Sequence, residues 1–546
     1  MIELKQKPKT DDYDPIEAAN SAIWDRCEDD FELYCVLFFP HYCQLPFNQF
    51  HRNCFAFYGQ DTTAARVVDC APRGYAKSVI KALLKPLHDI CYGLEKYILF
   101  ISATKEQAVQ KLKDIRRELL VNTDLYAVYG DMLPSKKVGA EKFEANTPNG
   151  SCLLQAVGAG TEVRGIRHGE SRPTKIILDD VEDSEEVLNE DLRNKNESWL
   201  QEVVSNLGST ETSIEIVGTI LHRDSLLMRL KQNPAYITKI YKAVINWAER
   251  QDLWEAWKKI YVNLDNSRRA EDALQFFKAN EAAMLLGSEV LWPEKEPYYE
   301  LMKQLIEKGK RAFMKEKQNA PLPSNEAAFD DIWWYYEDAA RGGVIIEKTG
   351  AFVPYAELQM QSFGAMDPAT GGTTKSTKSK LDFTCIGSGY KDLKGRLFVH
   401  KDWTKKAKPS RYVPQIFEEH AVMRYSKFAV EENLYRGLLT ENIVREKKTR
   451  QAEMKARGVE NWEIKVPFYE IENRENKIKR IWTLEPKVNN GWILFNRTLS
   501  VDFMNMIEEF PNGDHDDAPD TLEMLWGMVT NLYKAKPLDI DPMGSR

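Results

Sequence analysis

Two groups of residues in this chain have types and spacings suited to phosphate chemistry. The first lies in VVDCAPRGYAKSVIKALL, where an apolar run enters a loop of small residues and leaves it through Lys77-Ser78 into a helical pattern. Such a loop offers backbone N–H groups at a helix start to phosphate oxygens, a lysine to the β/γ oxygens and a hydroxyl to Mg²⁺. The loop reads Ala71, Pro72, Arg73, Gly74, Tyr75, Ala76, Lys77, Ser78, with alanine at 71 and 76 where G-x-x-x-x-G-K-[ST] has glycine. Alone, the segment is equally a basic helix start after a strand.

Later elements follow in the order an ATPase needs. KIILDDVED ends an apolar run in Asp179, placed for Mg²⁺, and Asp180, placed to polarise an attacking water. Glu182 competes for the second role because its side chain is longer. EIVGTILHRDSLL carries Gly218-Thr219 where a residue senses the γ-phosphate and couples hydrolysis to movement. Each element closes a strand at the end where open α/β sheets bind ligands. Charge on the transferred phosphoryl group calls for arginine. Arg73 lies in the loop, and Arg164, Arg167 and Arg172 precede the second motif, candidates to act in cis or from a neighbouring subunit. Gln49 in LPFNQFH has the donor and acceptor pair an adenine edge requires.

The second group is acidic. Asp367 ends an apolar run in FGAMDPATGG, Glu431 and Glu432 end another in KFAVEENLYRG, and Asp514, Asp516, Asp517 and Asp520 crowd a helix start in FPNGDHDDAPDTLEMLWGMV. Carboxylates converging from two strands and a helix suit two Mg²⁺ or Mn²⁺ ions, which activate water and stabilise the leaving oxygen in phosphodiester cleavage. Acids at a helix start also simply complement its dipole. Strand alternation sends Glu431 and Glu432 to opposite faces, and Glu431 closes the apolar run. Asp520 lies one helical turn from Asp516 and Asp517 and is able to replace either. Lys401, Lys405, Lys406, Lys408 and Arg411, then REKKTR from Arg445 and NRENKIKR from Asn473, interleave with Trp403, Tyr412, Trp462 and Trp482. That mixture suits a nucleic-acid path and equally a solvated face.

The elements that must position these groups follow from texture. Residues 1–60 read as a helical segment; 61–310 as an α/β domain with a mostly parallel sheet and a helical lid from about 225; 311–360 as a linker; and 361–546 as a second α/β domain. TGGTTKSTKSK reads as a polar loop. With 75 basic and 83 acidic residues the net charge is -8, which disfavours a protein coated in basic charge and leaves nucleic-acid contact to local patches. The apolar runs are strand-sized, and MIELKQKPKTDDYDP lacks a signal-peptide core, so neither membrane insertion nor export is expected. Seven of the eight cysteines fall before residue 153 without a C-x-x-C pair, an arrangement fitting a reducing compartment and no zinc site.

In order and in kind, APRGYAKS, VRGIRHGESRPTKIILDDVED, VGTILHRDS, GAMDPATGG, VEEN and HDDAPD resemble the large terminase subunits of tailed bacteriophages, over residues from about 45 to 525. The resemblance implies an ASCE-type P-loop ATPase followed by an RNase H-like nuclease. It makes Lys77 and Ser78 the phosphate and Mg²⁺ residues, Arg73 the loop arginine, Asp179 and Asp180 the second-motif acids, and Gly218 and Thr219 the coupling motif. It makes Asp367, Glu431, Asp516 and Asp517 the nuclease metal ligands, and Lys477 and Arg480 in KIKRIWTLEP DNA contacts. ATP and Mg²⁺, with Mn²⁺ substituting in the nuclease, are the implied cofactors. The implied partners are double-stranded viral DNA, the portal protein of the procapsid, the small terminase subunit and further copies in a pentameric ring, in the host cell cytoplasm. Two alternatives stay open at this point. One is a host-type helicase or repair ATPase-nuclease, although no further helicase motif follows Thr219; the other is a non-catalytic assembly protein with a degenerate ATPase.

Overall fold

The computed structural model describes residues 15–133, 139–161, 165–323, 325–358, 361–368, 383–431, 436–460, 462–471, 475–532 and 536–538. The chain forms two compact units: Met1–Gln251 with Ala282–Leu305 and Lys310–Pro323, and Asp252–Glu281 with Ile306–Gly309 and Ser324–Arg546. Among the described residues no helix is long and apolar enough to cross a membrane.

In the first unit, β1 (Arg66–Cys70), β2 (Tyr97–Ser102), β3 (Lys142–Thr147), β4 (Gly150–Gly158), β5 (Lys175–Asp179), β6 (Ser213–Gly218) and β7 (Ile237–Ile240) make one sheet in the order β3-β4-β2-β5-β6-β1-β7. Among the described residues only its β3–β4 pair is antiparallel. The expected mostly parallel α/β sheet is therefore what forms. β2, β5 and β6 are buried along their whole length, which is why they are near-continuous apolar runs without alternation.

The exceptions inside those runs are charged residues that meet a helix. After β1 comes helix 77–92, α-helical over Lys77–Val79, π-helical over Ile80–Leu84 and α-helical over Lys85–Tyr92. Lys81 Nζ lies 2.8 Å from Asp69 Oδ2 on β1 and 3.0 Å from Glu215 Oε2 on β6. Lys175 Nζ on β5 lies 2.6 Å from Asp89 Oδ2, and Lys85 Nζ lies 2.5 Å from Asp89 Oδ1. The Tyr58 hydroxyl donates to Glu215 Oε2 at 2.6 Å. All six charged groups are at most 4% exposed. Burial opposes every charge, yet the facing carboxylates hold Lys81 and Lys175 above the ordinary lysine range, and Lys175 and Lys85 draw Asp89 down to about 2.

Two stretches differ from expectation. In the expected lid, β7 joins the main sheet, β8 (Val244–Asn246) pairs with β9 (Glu289–Val290), and residues 252–281 belong to the second unit. The expected linker is structured. Near its start lies a buried strap in which Asn319 Nδ2 donates to the carbonyls of Cys70 (3.2 Å) and Tyr241 (2.8 Å), while Asn319 Oδ1 accepts from Ile220 N (2.9 Å). Composition signals an absence of regular structure, but a buried amide can tie three strand ends without any. Further on, β10 (Trp333–Asp338), β11 (Gly343–Ile346) and β12 (Phe352–Pro354) are strands of the second unit.

The second unit adds β13 (Gln361–Asp367), β14 (Thr384–Lys391), β15 (Leu397–Lys405), β16 (Lys427–Glu431), β17 (Phe468–Ile471), β18 (Ile493–Asn496) and β19 (Lys536–Pro537). The ten strands run β12-β11-β10-β18-β15-β14-β13-β16-β17-β19. At the centre, β13, β14 and β15 form an antiparallel meander, while β16 and then β17 add parallel to β13. This 3-2-1-4-5 order is the RNase H-like arrangement that was expected. Helix Asp517–Thr530 is buried from Asp517 to Val529 and lies against β13 and β14. Its close approach explains Gly387: a Cβ there would stand 2.8 Å from Thr521 Cγ2 and 3.0 Å from Leu525 Cδ1. The polar run TGGTTKSTKSK lies outside the described residues.

Replacing Lys175 by Met leaves Asp89 and Glu215 buried with fewer partners, and the first unit is expected to lose about 3–5 kcal/mol in denaturant unfolding. A loss below about 1 kcal/mol, the range of an exposed ion pair, would show that the network is not structural.

Candidate nucleotide and metal sites

The first site assembles at the C-terminal ends of the adjacent strands β5, β6 and β1. The chain leaves β1 at Cys70, turns through Gly74 (φ +88°) and Ala76 (φ +55°), and enters helix 77–92. Ala76 thus takes the left-handed conformation for which a glycine would be the ordinary choice. Lys77 is buried; its Nζ donates to Thr219 Oγ1 at 2.8 Å and lies 3.5 Å from Asp180 Oδ1. Ser78 Oγ donates to Asp179 Oδ1 at 2.7 Å, and Lys111 Nζ lies 2.6 Å from Asp179 Oδ2. A Cβ on Gly218 would come within 3.5 Å of Asp180 Oδ1. Lysine, hydroxyl, two acids and the Gly-Thr pair, far apart in the chain, therefore meet, in the arrangement a phosphate and its Mg²⁺ require.

The remaining candidates divide. Arg73 is exposed, paired with Glu316 Oε2 at 3.3 Å. Gln49 is exposed at the start of helix Gln49–Tyr58, its amide donating to Asn53 Oδ1 at 2.8 Å. Arg167 is exposed, Arg172 donates to the Gly208 carbonyl at 3.3 Å, and Arg164 lies outside the described residues. Glu182 is buried and works as a helix cap: its Oε1 accepts from Leu226 N at 2.8 Å at the start of helix Leu226–Lys231. Burial pushes its carboxyl up to about 7, against the pull of the Leu226 and Leu227 amides. Lys111 had no sequence signal; it looks like any basic position on helix Lys105–Val121.

In the second unit, register does the positioning. Met366 pairs with Val430 across the parallel β13–β16 ladder, which brings Asp367 and Glu431, the last residues of their strands, side by side. The third carboxylate is Asp520: ligand oxygens of Asp367, Glu431 and Asp520 lie within 4.8 Å of one another. The cluster thus takes the acid that the sequence left as able to replace Asp516 or Asp517. Asp517 is buried one turn earlier, 3.9 Å from His515 Nδ1, and Asp516 is partly exposed and meets the cluster through Lys477. Asp520 and Asp517, one helical turn apart, both stand close enough to Asp367 for their charges to raise its carboxyl. Glu432 and residues 369–382 lie outside the described residues.

Lys477 and Arg480, expected to contact DNA, both pair with acids of this site. Lys477 Nζ lies 2.8 Å from Asp367 Oδ2, 2.9 Å from Asp516 Oδ1 and 3.4 Å from Asp520 Oδ2. Burial works against its charge, but Asp367, Asp520 and Asp516 hold it above the ordinary lysine range. Arg480 is buried, paired with Asp520 Oδ1 at 3.1 Å and with Glu523. Burial pushes the Asp367 carboxyl up to about 8, with Lys477 opposing the rise. Asp367, Glu431 and Asp520 supply only oxygen donors, and the set fits hard divalent cations. Of the aromatics interleaved with basic residues, Tyr412 is a core residue, and Trp403 and Trp482 pack against the core. Lys405 and Lys406 stand at the end of the sheet that carries Asp367, since Asp367 pairs with Cys385 and Thr384 with Lys405.

The Glu182 assignment predicts a pH dependence. With the folded carboxyl at about 7 against an ordinary 4.5, its stabilising contribution is full below 4.5 and is lost as pH rises through 7. Glu182→Gln, a neutral acceptor, is expected to melt above wild type at pH 8 and level with it at pH 4; equal melting at both would remove the cap assignment.

No family model and no curated protein matches the chain. Among solved structures, it is similar to the large terminase of a thermophilic bacteriophage, at 9% identity and TM-score 0.43, over 89% of this chain and 99% of that one. It is similar to the large terminase of bacteriophage HK97, at 13% identity and TM-score 0.30, over 89% and 95%. The human cytomegalovirus terminase nuclease domain aligns at 12% identity and TM-score 0.22, over 34% of this chain and 87% of that domain.

Proposed function

We propose that this chain is an ATP-driven motor that packages double-stranded viral DNA and cuts it at a second, metal-dependent site. One observation carries the reading: Lys77, Ser78, Asp179, Asp180 and Thr219 converge at the ends of three adjacent parallel strands. In this reading the Lys77 ammonium meets the β/γ-phosphate oxygens, Asp180 orients the attacking water, and Thr219, bonded to Lys77, registers the change when the phosphate leaves. Ser78 and Asp179 are the residues that would hold Mg²⁺, whose charge neutralises the phosphates.

Asp367, Glu431 and Asp520 would hold the nuclease cations, Mg²⁺ or Mn²⁺, which supply activated water and stabilise the leaving oxygen. Lys477 keeps the carboxylates together and balances their charge, and Lys405 and Lys406 offer phosphate contacts at the same end of the sheet. The packaging role brings with it the portal protein of the procapsid, the small terminase subunit, a pentameric ring of copies, and the host cell cytoplasm as the place of work.

ATP turnover with and without double-stranded DNA tests the first site. Asp180→Asn is expected to lower turnover by about a hundredfold or more, the weight of a positioned acid-base group, while Glu182→Gln stays near wild type. Turnover that survives Asp180→Asn and falls in Glu182→Gln would exchange the two roles. Mn²⁺-dependent cleavage of plasmid DNA tests the second: Asp520→Asn is expected to abolish cutting and Asp517→Asn to retain it, and the opposite pattern would return the ligand role to Asp517.

A further inference from the structure

Three side chains from separate stretches of the first unit close on consecutive carbonyls of the phosphate loop. Lys317 Nζ donates to the Arg73 carbonyl at 3.0 Å, Lys295 Nζ donates to the Gly74 carbonyl, and His51 Nε2 lies 3.0 Å from the Tyr75 carbonyl. The direction of the histidine bond is fixed by its other nitrogen, since His51 Nδ1 accepts from Asn48 N at 3.3 Å. Burial lowers the ring's pKa to about 4, so the imidazole is neutral, its single proton sits on Nε2, and Nε2 donates.

The donors are themselves held. Lys317 is buried and also bonds Glu296 Oε1 at 2.6 Å, an oxygen that Gln304 Nε2 approaches at 3.0 Å. The Trp292 ring packs 4.8 Å from the His51 ring and 5.6 Å from the Tyr75 ring, with Lys295 Nζ 4.9 Å over its face. Beside Lys317, the Glu316 carbonyl accepts from Arg73 N at 2.9 Å.

We propose that His51, Lys295 and Lys317 are positioning residues that clamp the loop from outside and preorganise it for the phosphates of a nucleotide, an inference that rests on the nucleotide reading above. In a trans peptide the C=O of one residue and the N–H of the next point in opposite directions. Carbonyls held outward at Arg73, Gly74 and Tyr75 therefore turn the N–H groups of Gly74, Tyr75 and Ala76 away from the clamp. Tyr75 N returns to the Pro72 carbonyl at 3.2 Å within the loop. The amides of Gly74 and Ala76 then join the first amides of helix 77–92, which have no acceptor within the helix, on the side where an anion binds. The clamp also answers the missing glycine. Alanine is disfavoured in the left-handed conformation because its Cβ crowds the backbone, and donors on the neighbouring carbonyls resist its relaxation. Two ammonium groups behind the peptide dipoles add positive potential at the same place.

The test is calorimetric binding of Mg²⁺-ADP to the full chain, together with the ATP KM and kcat of Lys295→Met, Lys317→Met, His51→Leu and His51→Gln. Lys295→Met and Lys317→Met are each expected to weaken ADP binding by about tenfold, the weight of one charged hydrogen bond, with KM rising by more than kcat falls. His51→Leu is expected to weaken it similarly, and His51→Gln, whose amide nitrogen reaches the same carbonyl, to recover most of the loss. Melting of the nucleotide-free proteins checks folding, and because Lys295 is exposed, its variant keeps the test decisive if Lys317→Met unfolds. Wild-type affinity in both Lys295→Met and His51→Leu would overturn the clamp while leaving the nucleotide site standing. A wild-type chain that binds no ADP would overturn the nucleotide reading and the clamp with it.

Discussion

The buried ion network beneath helix 77–92 is the constraint on which the first site depends. Lys81, Lys85 and Asp89 come from one face of that helix, and Asp69, Lys175 and Glu215 from three adjacent strands. Each charge taken from water costs several kcal/mol unless a partner compensates, so only a narrow range of rotations and translations of the helix on the sheet is tolerated. An apolar interface of the same area would allow sliding among near-equal packings; this one does not. Because Lys77 and Ser78 begin the same helix, fixing its rotation by Lys81 and Lys85 fixes them opposite Asp179, Asp180 and Thr219. The π-helical turn over Ile80–Leu84 carries Lys81 itself and joins the Lys77–Ser78 end of the helix to Lys85 and Asp89.

The second site is assembled by other means. Asp367 and Glu431 are neighbours because two parallel strands end in register, and Asp520 arrives because Gly387 lets helix Asp517–Thr530 sit directly on the sheet. Ala365, Cys385, Ala429 and Leu522 belong to the apolar core of this unit. The electrostatic difficulty lies at the top, where clustered carboxylates repel, and Lys477 and Arg480 meet it. The first unit has a buried ion network below its site in addition to the Lys77–Asp180 and Lys111–Asp179 pairs within it, and the second concentrates its pairs around the acids themselves.

These two routes explain what was legible in the sequence. Strand ends were readable because buried parallel strands are unbroken apolar runs, and the residue that closes each run was readable with them: Asp179, Gly218, Asp367, Glu431. Buried charges inside the runs and helices were not readable. Lys81, Lys175 and Glu215 look like polar punctuation, and their pairing joins positions as far apart as 81 and 215. Asp516, Asp517 and Asp520 occupy one helix start, and choosing among them needs the rotation of the helix, which is set by the contact of its Thr521 and Leu525 with Gly387 rather than by the acids. Arg480 reads as a surface cation in the sequence because burial is a property of its neighbours Asp520 and Glu523.

The phosphate loop carries the same point one step further. A glycine before the lysine is a statement about φ, since glycine reaches the left-handed region without a Cβ penalty. Here Ala76 reaches it at φ +55°, and the loop around it is bonded to residues near positions 51, 295 and 317. A textual pattern is local and records only one way of meeting the requirement, in which the backbone is free to adopt the shape. The other way is to hold a less willing backbone in that shape from outside, with donors that share no fixed spacing to the loop. A chain that takes the second route loses the pattern and keeps the geometry, which is the condition in which Lys77, Ser78 and Thr219 are found.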